Sequence, residues 1–429
     1  MDKLLTGKLA RSLAGGHTAV KVGGKMLSYY AKRPFLSKTG RHEAKTAASA
    51  AGAETLFQGL SLLKGTALKI AQQLSLEMDI LPEAACRELA KAYHQVPPIN
   101  RALVRKVIKE GLGAPPEEIF SHFDLKAFAA ASLGQVHRGM DTDQRSLAVK
   151  IQYPGIAVTI ENDLALVRQI LRPMVQKEHL MPVLHELAAR LREEVDYLKE
   201  ADNLRFFSDH LKVDGVRYPV VYRRYTSPTV LTATLMPGKP LDLWLKDNPD
   251  QAAKDLVARR LNSIFVEGLY ALNVVHADPN PGNFIIADDL SIGLVDFGCI
   301  KRLSPSFVEH YRRLSHASSH QSGEEHFQEM VHLGFVPEDL DESTLDAIRD
   351  ILNTFSHWFG RLFADELFDF NAHDGFISEA KRSIRQFHRL RRHLRVNPDF
   401  LFLDRTRYGL LRIFEQMGAR VAFRNSYEW

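Results

Sequence analysis

The spacing of hydrophobic residues changes several times along the chain, and these changes divide it into regions 1–50, 51–115, 116–238 and 239–429. In the second region apolar residues recur at steps of three and four, the period of an amphipathic helix. They are Leu56, Leu60, Leu63, Ala67, Ile70 and Leu74. The second region is therefore predicted to be helical. The first region is rich in Gly and Ala, and we expect it to be only partly ordered.

The third region combines two patterns. SLAVKIQY (146–153) and TVLTATLM (229–236) have the alternation or the β-branched residues that are typical of strands. TIENDLALVRQIL (159–171) and VLHELAARLREEVDYLKEADNLRFF (183–207) have long helical patterns. A lobe of mixed strands and helices is expected here.

The fourth region reads as mostly helical, with an interruption at 274–298. Within it, NFII (283–286) and IGLVDF (292–297) flank the turn residues ADDLS (287–291), which predicts a strand, a turn and a second strand. The predicted fold class is α+β, with a mixed lobe followed by a mostly helical lobe.

Composition adds limits on the class of protein. The chain has 429 residues, 25% of them charged, and a net charge of only +4, so a general polyanion binder is not indicated and no nucleic-acid partner is expected. Ten Lys and Arg residues against two acidic residues lie within 1–45. This basic segment is either a disordered tail or a contact for anionic lipid.

Other features of the sequence bear on location. Cys86 and Cys299 are the only cysteines, which argues against a disulfide framework and favours a reducing compartment. No run of eighteen apolar residues predicts a membrane span, and the N-terminus lacks the pattern of a secretory signal. We expect a cytoplasmic protein, peripheral at the inner face of a membrane if the basic segment binds lipid.

Two segments carry candidate phosphoryl-transfer chemistry. In HADPNPGN, Asp278 and Asn283 are five residues apart in a loop stiffened by two prolines, and Asp296 follows the predicted hairpin in VDFG. Mg²⁺ prefers such hard oxygen ligands, and kinases place an Asp, an Asn and a further Asp in this order. Asp278 and Asn283 alone would equally suit a turn. The complete ordered set favours a site for nucleotide and Mg²⁺.

A lysine on a strand fits the same chemistry. Lys150 ends the alternating part of SLAVKIQY, where its side chain could neutralise the α- and β-phosphates. It needs a carboxylate partner, and the following helical pattern offers Glu193, Glu194, Asp196 and Glu200. Asp196 and Glu200 share a helix face, being four apart, and Glu194 does not share a face with Asp196.

Together these motifs resemble the UbiB/AarF family of atypical protein-kinase-like proteins, which is associated with ubiquinone biosynthesis. The resemblance rests on FAAASLGQVH (128–137), VKIQYPG (149–155), EEVDYLKEA (193–201), HADPNPGN and VDFG, and it extends over about residues 55 to 335. It implies a two-lobed, protein-kinase-like fold with an N-terminal helical extension. It also implies ATP and Mg²⁺ as cofactors.

The resemblance assigns roles to individual residues. Lys150 would contact the phosphates and pair with Glu200, Asp278 would be the catalytic-loop acid, and Asn283 and Asp296 would bind Mg²⁺. The nucleotide-facing loop would comprise Ala129, Ala130, Ala131, Ser132, Gly134 and Gln135.

The helical extension of the family carries a K-x-G-Q motif. Lys69 and Gln72 match it, with Ala71 in place of the glycine. The family's lysine meets an E-x-D pair, here Glu194 and Asp196. Without the resemblance, Lys69 and Gln72 would read as solvated helix positions.

The alanine-rich loop bears on the type of chemistry. Alanine keeps the backbone N–H groups that can face phosphate but gives up easy access to positive φ. The loop should therefore be stiff and poorly suited to protein phosphorylation. No peptide-binding segment follows VDFG, because Ser304 and Pro305 signal the start of a helix.

The leading hypothesis is an ATPase or a small-molecule or lipid kinase that supports isoprenoid-quinone biosynthesis or membrane lipid homeostasis. Two alternatives remain: a nucleotide-binding regulator or chaperone without catalysis, and a phosphotransferase for soluble alcohols or amino sugars. Separately, HASSHQSGEEH places His316 and His320 four residues apart, near Glu324, Glu325 and His326. That spacing suits either a transition-metal site or a solvated helix end.

Overall fold

A computed structural model describes residues 99–131, 133–171, 188–189, 191–337, 340–380, 394–395 and 397–429. The predictions for region 1–50, for most of 51–115 and for Ser132 lie outside these residues. The described residues form two compact units. The first runs to Lys199 and includes Tyr222–Thr234, and the second comprises Glu200–Val221 and Leu235–Trp429. This division differs from the predicted boundary at 238, because residues 200–221 group with the second unit.

The first unit contains an antiparallel sheet of five strands. They are β1 (His122–Phe123), β2 (Ala129–Ala131), β3 (Gly134–Met140), β4 (Ser146–Gln152) and β6 (Val230–Thr234). Their order is β1-β3-β4-β6, and β2 pairs with β3 as well. Both strands predicted from the sequence of this region are present, as β4 and β6. Val136 and Leu231 flank Lys150 in the register of the sheet.

Three helices accompany this sheet: α1 (Arg101–Leu112), α2 (Pro116–Ile119) and α3 (Ile156–Leu171). Asn100 caps α1, accepting a hydrogen bond from the backbone N–H of Leu103 at 2.9 Å. The buried face of α1 presents Val104 and Ile108 to a core shared with the apolar residues of β4 and β6. The apolar side chains of the strand that carries Lys150 are buried in this core, and their burial stabilises the position of the strand.

One predicted helix is interrupted. The pattern at 183–207 predicted a continuous helix, but residues 191–194 are helical and Val195–Asp196 are not. A new helix, α4 (Tyr197–His210), then begins. Asp196 caps it, since its Oδ1 accepts a hydrogen bond from the N–H of Lys199 at 3.0 Å. The helical prediction was wrong at this point because a capping carboxylate competes with helix continuation.

The second unit contains three small sheets. Their strands are β5 (Val216–Arg217), β7 (Lys239–Pro240), β8 (Val274–His276), β9 (Phe284–Ile286), β10 (Ile292–Leu294), β11 (Ile300–Arg302), β12 (Phe368–Asp369) and β13 (Arg420–Val421). The first sheet has the order β5-β10-β9-β7, and its β5–β10 pair is parallel. The others pair β8 with β11 and β12 with β13, antiparallel. The hairpin predicted around 287–291 is present as β9 and β10.

Helices make up most of the rest of the second unit, as the sequence predicted. They are α5 (Leu241–Trp244), α6 (Gln251–Leu272), α7 (Pro305–Ser319), α8 (Gly323–His332), α9 (Glu342–Gly360) and α10 (Pro398–Met417). The predicted start of α7 is observed: Ser304 accepts a hydrogen bond from the N–H of Phe307, and Pro305 is the first helical residue. Within the described part of the chain, no helix combines the length and apolar character that crossing a membrane requires.

Candidate nucleotide site

The alanine-rich segment forms a β-hairpin in the first unit. Ala129, Ala130 and Ala131 are extended and pair in register with Val136, Gln135 and Gly134. Ala129 and Ala130 are exposed. Extended backbone is accessible to alanine without strain, so the segment uses none of the conformational freedom that glycine would supply. The expected stiffness of the loop stays a prediction.

The glycine of this hairpin is required by close packing. A Cβ atom at Gly134 would overlap the backbone oxygen of Ile151 and would lie 2.7 Å from the hydroxyl of Tyr197. Contacts this short do not occur at real Cβ atoms. Gly134 therefore lets β3 lie close to β4 and to the first residue of α4.

Gln135 uses its side chain inside the fold. Its Oε1 accepts a hydrogen bond from the N–H of Ile99 at 3.0 Å, and its Nε2 donates to Nε2 of His137 at 2.8 Å. The Nδ1–H of His137 in turn donates to the backbone oxygen of Asp124 at 2.7 Å. Burial holds the pKa of His137 below its usual value, consistent with a neutral ring. Contact between Gln135 and a nucleotide stays a prediction.

Lys150 lies on β4 beside an aromatic ring. Its Nζ is 5.2 Å from the ring centroid of Tyr197, which is a buried residue and the first of α4. An ammonium group at this distance from a ring face is attracted to it. The sequence did not indicate Tyr197, because its partner is 47 positions away along the chain. The Tyr197 ring is thus one neighbour of the Lys150 ammonium group within the first unit.

The acidic residues near the start of α4 have separate roles. Asp196 caps the helix. Glu193, three residues earlier, forms an ion pair with Lys199. Glu200 is buried and belongs to the second unit, whereas Lys150 belongs to the first, so their pairing stays a prediction. Lys69 and Gln72 lie outside the described residues. The predicted contact of Glu194 and Asp196 with the helical extension therefore stays a prediction as well.

In the second unit, Asp278 and Asn283 are joined directly. The Nδ2 of Asn283 donates to Oδ2 of Asp278 at 2.9 Å and to its backbone oxygen at 3.2 Å. Asn283 is buried at the end of the turn Pro281–Asn283, which Asn280 caps by accepting from the N–H of Gly282. Because the amide nitrogen faces Asp278, the carbonyl oxygen of Asn283 is the atom that could face a metal ion.

Asp296 is fixed next to this pair by hydrogen bonds to its own backbone and to that of Val295. The N–H of Val295 donates to the backbone oxygen of Asn283 at 3.0 Å, and His276 donates from Nε2 to the backbone oxygen of Asp296 at 2.7 Å. The Oδ1 of Asp296 accepts from the N–H of Gly298 at 3.2 Å. Asp296 has a φ of +64°, in the left-handed region. The structure thus brings three of the predicted residues, Asp278, Asn283 and Asp296, into one part of the second unit.

Two supports of this arrangement were not recognised from the sequence. His276 begins the HADPNPGN motif, and its side chain holds the backbone of Asp296 by a hydrogen bond. Asn203 of α4 donates from Nδ2 to the backbone oxygen of Phe297 at 3.1 Å. The Phe297 ring is fully buried, 5.3 Å from the ring of Phe207 and 5.5 Å from that of His276. These contacts fix the turn that presents Asp296.

A third support comes from far along the chain. Gly409 of α10 packs on Pro279, the residue after Asp278, so closely that a Cβ atom at 409 would overlap the proline Cγ. A proline ring cannot move aside as a flexible side chain could. Gly409 therefore allows α10 to support the loop that carries Asp278.

The donor set in the second unit suits a hard divalent cation. Asn283 offers an amide oxygen and Asp296 a carboxylate oxygen. Mg²⁺ prefers oxygen ligands, and in nucleotide sites its other ligands are water molecules and phosphate oxygens of the nucleotide. The residues therefore fit Mg²⁺ bound to a nucleotide. No Cys or His side chain is part of the predicted ligand set, which disfavours a soft transition metal here.

The suggested metal spacing at 316–326 is not realised as one cluster. The rings of His316 and His320 stack with centroids 4.2 Å apart, and His320 also stacks on Trp429. His326 is buried, and burial lowers its pKa to about 4. Glu324 contacts Gln328 and Arg349 instead. Among the described residues, the His and acidic side chains that do cluster are different ones on the same two helices.

Known proteins are similar to this chain in sequence and fold. A 300-residue stretch is 33% identical to the chloroplastic protein ACTIVITY OF BC1 COMPLEX KINASE 8 of Arabidopsis thaliana, covering 66% of this chain and 38% of that protein. A 325-residue stretch is 30% identical to the mitochondrial atypical kinase coq-8 of Caenorhabditis elegans, covering 72% and 41%. The chain thus spans less than half the length of these two relatives.

A solved structure shares the fold. The Rv3197–erythromycin complex from Mycobacterium tuberculosis superposes with a TM-score of 0.59 at 23% identity, covering 89% of this chain and 96% of that one. The model of the ABC1 atypical kinase-like domain matches residues 91–330, more than half of the chain, and a kinase-like domain implies ATP binding. The family resemblance inferred from the motifs is confirmed: the chain belongs to the ABC1 atypical kinase-like, or UbiB, family.

Proposed function

We propose that this protein binds ATP with Mg²⁺ and hydrolyses it, or transfers its γ-phosphate to a small molecule or lipid. The observation that carries the proposal is the hydrogen bond between Asn283 and Asp278, with Asp296 fixed beside them by Val295 and His276. In this proposal Asn283 and Asp296 ligate the metal ion, which neutralises phosphate charge. Asp278 orients and deprotonates the attacking hydroxyl or water.

Lys150 is proposed to contact the α- and β-phosphates and to pair with Glu200. The Tyr197 ring supports this role, because it holds the ammonium group at 5.2 Å without neutralising its charge. The alanine hairpin is proposed to cover the phosphates through the residues around its turn: Ala129, Ala130, Ala131, Ser132, Gly134 and Gln135. Its strand pairing supports chemistry on a small acceptor or water rather than on a protein chain.

The proposed setting is isoprenoid-quinone biosynthesis or membrane lipid homeostasis. The family membership supports it, as do relatives whose names describe a mitochondrial atypical kinase and a chloroplastic kinase. Contact with a membrane rests on the basic segment 1–45, with ten Lys and Arg residues. Each of these residues would contribute about 1 kcal/mol near an anionic surface.

The test is ATP turnover by the full-length protein, with and without vesicles containing anionic lipid. Asp296→Asn should lower turnover by at least about 100-fold, because it removes a charged metal ligand and its transition-state stabilisation. Asp288→Asn is the matched control, since this exposed carboxylate lies in the turn of the same hairpin. Equal turnover in Asp296→Asn and in the unmodified protein would refute the proposal.

The pathway needs a separate measurement. The quinone pool of a strain lacking the gene should fall, and the unmodified gene should restore it whereas Asp296→Asn should not. An unchanged quinone pool would remove the pathway assignment and leave the nucleotide site intact.

A second candidate function is a nucleotide-binding regulator of a biosynthetic complex. The observation that favours it is that all three alanines are committed to a strand, which limits closure over the γ-phosphate. Thermal stabilisation by ATP and Mg²⁺, together with no phosphate release under any lipid condition, would support this candidate over the enzyme.

A further inference from the structure

Helices α7 and α8 form a hairpin joined by His320–Ser322, and three potential metal ligands meet on it. His310 lies on α7, while Glu329 and His332 lie in the last turn of α8. Residues three apart share a helix face, so Glu329 and His332 project to the same side. One ligand atom from each of the three residues lies within 4.8 Å of the others.

The distances within the cluster are close to those of a metal site. The Nδ1 of His310 is 2.8 Å from Oε2 of Glu329, and the Nδ1 of His332 is 3.7 Å from Oε1. The two imidazole rings have centroids 5.2 Å apart. A tetrahedral ion with bonds of about 2.0–2.1 Å separates its ligand atoms by about 3.4 Å. The three ligand atoms therefore lie near the spacing that a single ion requires.

The burial of the three side chains is graded. The side chain of Glu329 is 12% exposed, that of His310 is 28% exposed and that of His332 is 54% exposed. The carboxylate is thus removed from water, which makes a counter-charge favourable, while the imidazoles open the cluster to solvent. The exposed ring of His332 lets an ion reach the cluster from solvent.

We propose that His310, Glu329 and His332 form a binding site for a divalent transition-metal ion, with Zn²⁺ the best match. Two imidazole nitrogens and one carboxylate oxygen are a known three-residue set for zinc, with water as a fourth ligand. In the absence of metal, the Nδ1–H of His310 donates to Glu329; binding of an ion at Nδ1 would replace this hydrogen bond, with the ring proton carried on Nε2 instead. The ion would tie the end of α8 to α7.

The site is independent of the proposed nucleotide chemistry. Asn283 and Asp296 present hard oxygen atoms to Mg²⁺, whereas this cluster presents mainly nitrogen. The two sites therefore select different ions.

The experiment uses the full-length protein stripped of metal with a chelator and then titrated with ZnCl₂. We expect one zinc ion per chain that depends on these residues and a rise in the thermal unfolding temperature. His332→Ala and Glu329→Gln should each weaken zinc binding by at least about tenfold, because loss of even an outer partner weakens metal binding 10–100-fold. His332→Ala is the safer variant for folding, since His332 is exposed.

The matched control is His357→Ala, which removes an exposed imidazole from the neighbouring helix α9. Its zinc affinity should equal that of the unmodified protein. Cobalt substitution gives a second readout, because its absorption spectrum reports tetrahedral nitrogen and oxygen ligands independently of stability. Zinc binding that is unchanged in His332→Ala and Glu329→Gln, or no binding by the unmodified protein, would overturn the proposal.

Discussion

Asn283 donates a 2.9 Å hydrogen bond from its amide to the carboxylate of Asp278, five residues earlier in the same loop. The bond fixes one carboxylate oxygen of Asp278 and turns the amide oxygen of Asn283 the other way. In the proposed mechanism, Asn283 thus orients the base and also supplies an oxygen ligand to the metal ion.

Asn283→Asp should therefore impair catalysis more than its small size change suggests. The substitution removes the amide donor that orients Asp278 and places a second negative charge beside its carboxylate, and the two charges repel. We expect ATP turnover to fall at least about 100-fold, the scale of general-base contributions. Steady-state ATP turnover of the variant and the unmodified protein provides the measurement. Full activity at neutral pH would contradict the assignment of Asp278 as the base.

Gly409→Ala should disturb the loop that carries Asp278, although the two residues are far apart in sequence. The added methyl would overlap the Cγ of Pro279. Overpacking of this kind costs about 1–3 kcal/mol of folding free energy. We expect a lower unfolding midpoint in urea together with lower ATP turnover.

The matched control is a double-variant cycle. Pro279→Ala removes the Cγ atom, so Gly409→Ala should cost less in that background than in the unmodified protein. Equal costs in the two backgrounds would show that the proline contact is not the cause.

Glu428→Ala should destabilise the second unit strongly. Arg407 and Glu428 form a bidentate pair at 2.5 and 2.9 Å, and their side chains are 7% and 1% exposed. Burial alone would raise the pKa of Glu428, but Arg407 and the hydroxyl of Tyr270 outweigh it and hold that pKa below its usual value. Removing the carboxylate leaves a buried guanidinium without its counter-charge, at a cost of about 3–5 kcal/mol.

Urea unfolding of Glu428→Ala measures this cost. Glu379→Ala is the control, because its partner Arg361 is half-buried rather than enclosed and such pairs contribute about 0–1 kcal/mol. A similarly small loss of unfolding free energy in both variants would contradict the prediction that burial of the Arg407–Glu428 pair makes its disruption costly.

His326 should make the protein less stable as the pH falls. Burial lowers its pKa to about 4, from the ordinary value of 6.5. Below pH 6.5 the unfolded state takes up a proton that the folded state does not, so stability falls between about pH 6.5 and 4 and then levels off. The total loss is of the order of 3 kcal/mol.

His326→Phe should remove this part of the pH dependence. It should also not weaken the fold near pH 7, because the buried Nδ1 of His326 has no hydrogen-bond partner among the described residues. Unfolding midpoints at pH 5 and 7.5 provide the measurement, with His357→Ala as the control for an exposed histidine. An unchanged difference between the two pH values in His326→Phe would contradict the prediction.

Local patterns predicted the parts of the fold that depend on neighbours in sequence. The alternation around Lys150 gave β4, the turn residues 287–291 gave the hairpin before Asp296, and Ser304 gave the start of α7. The exception is Asp196, whose capping role interrupts a pattern that otherwise reads as continuous helix. The sequence alone does not show whether a carboxylate within a run of charged residues will cap a helix or lie on its solvent-exposed face.

Contacts between distant residues could not be predicted in this way. Gly409 has an ordinary helical context, and only the packing of α10 on Pro279 explains it. The cluster of His310, Glu329 and His332 shows the same limit. His316 and His320 have the more conspicuous spacing in the sequence, but the packing of α7 on α8 brings His310, and not these two, next to Glu329. Tertiary pairing of helices decides such cases, and periodicity alone does not encode it.

The left-handed backbone of Asp296 has a consequence for how its chemistry can be probed. Asparagine and aspartate enter this conformation more readily than other side chains except glycine. Exchanging one for the other alters the charge while the peptide geometry can persist. Alanine or a β-branched residue there would add torsional strain, and a loss of activity would then mix two causes.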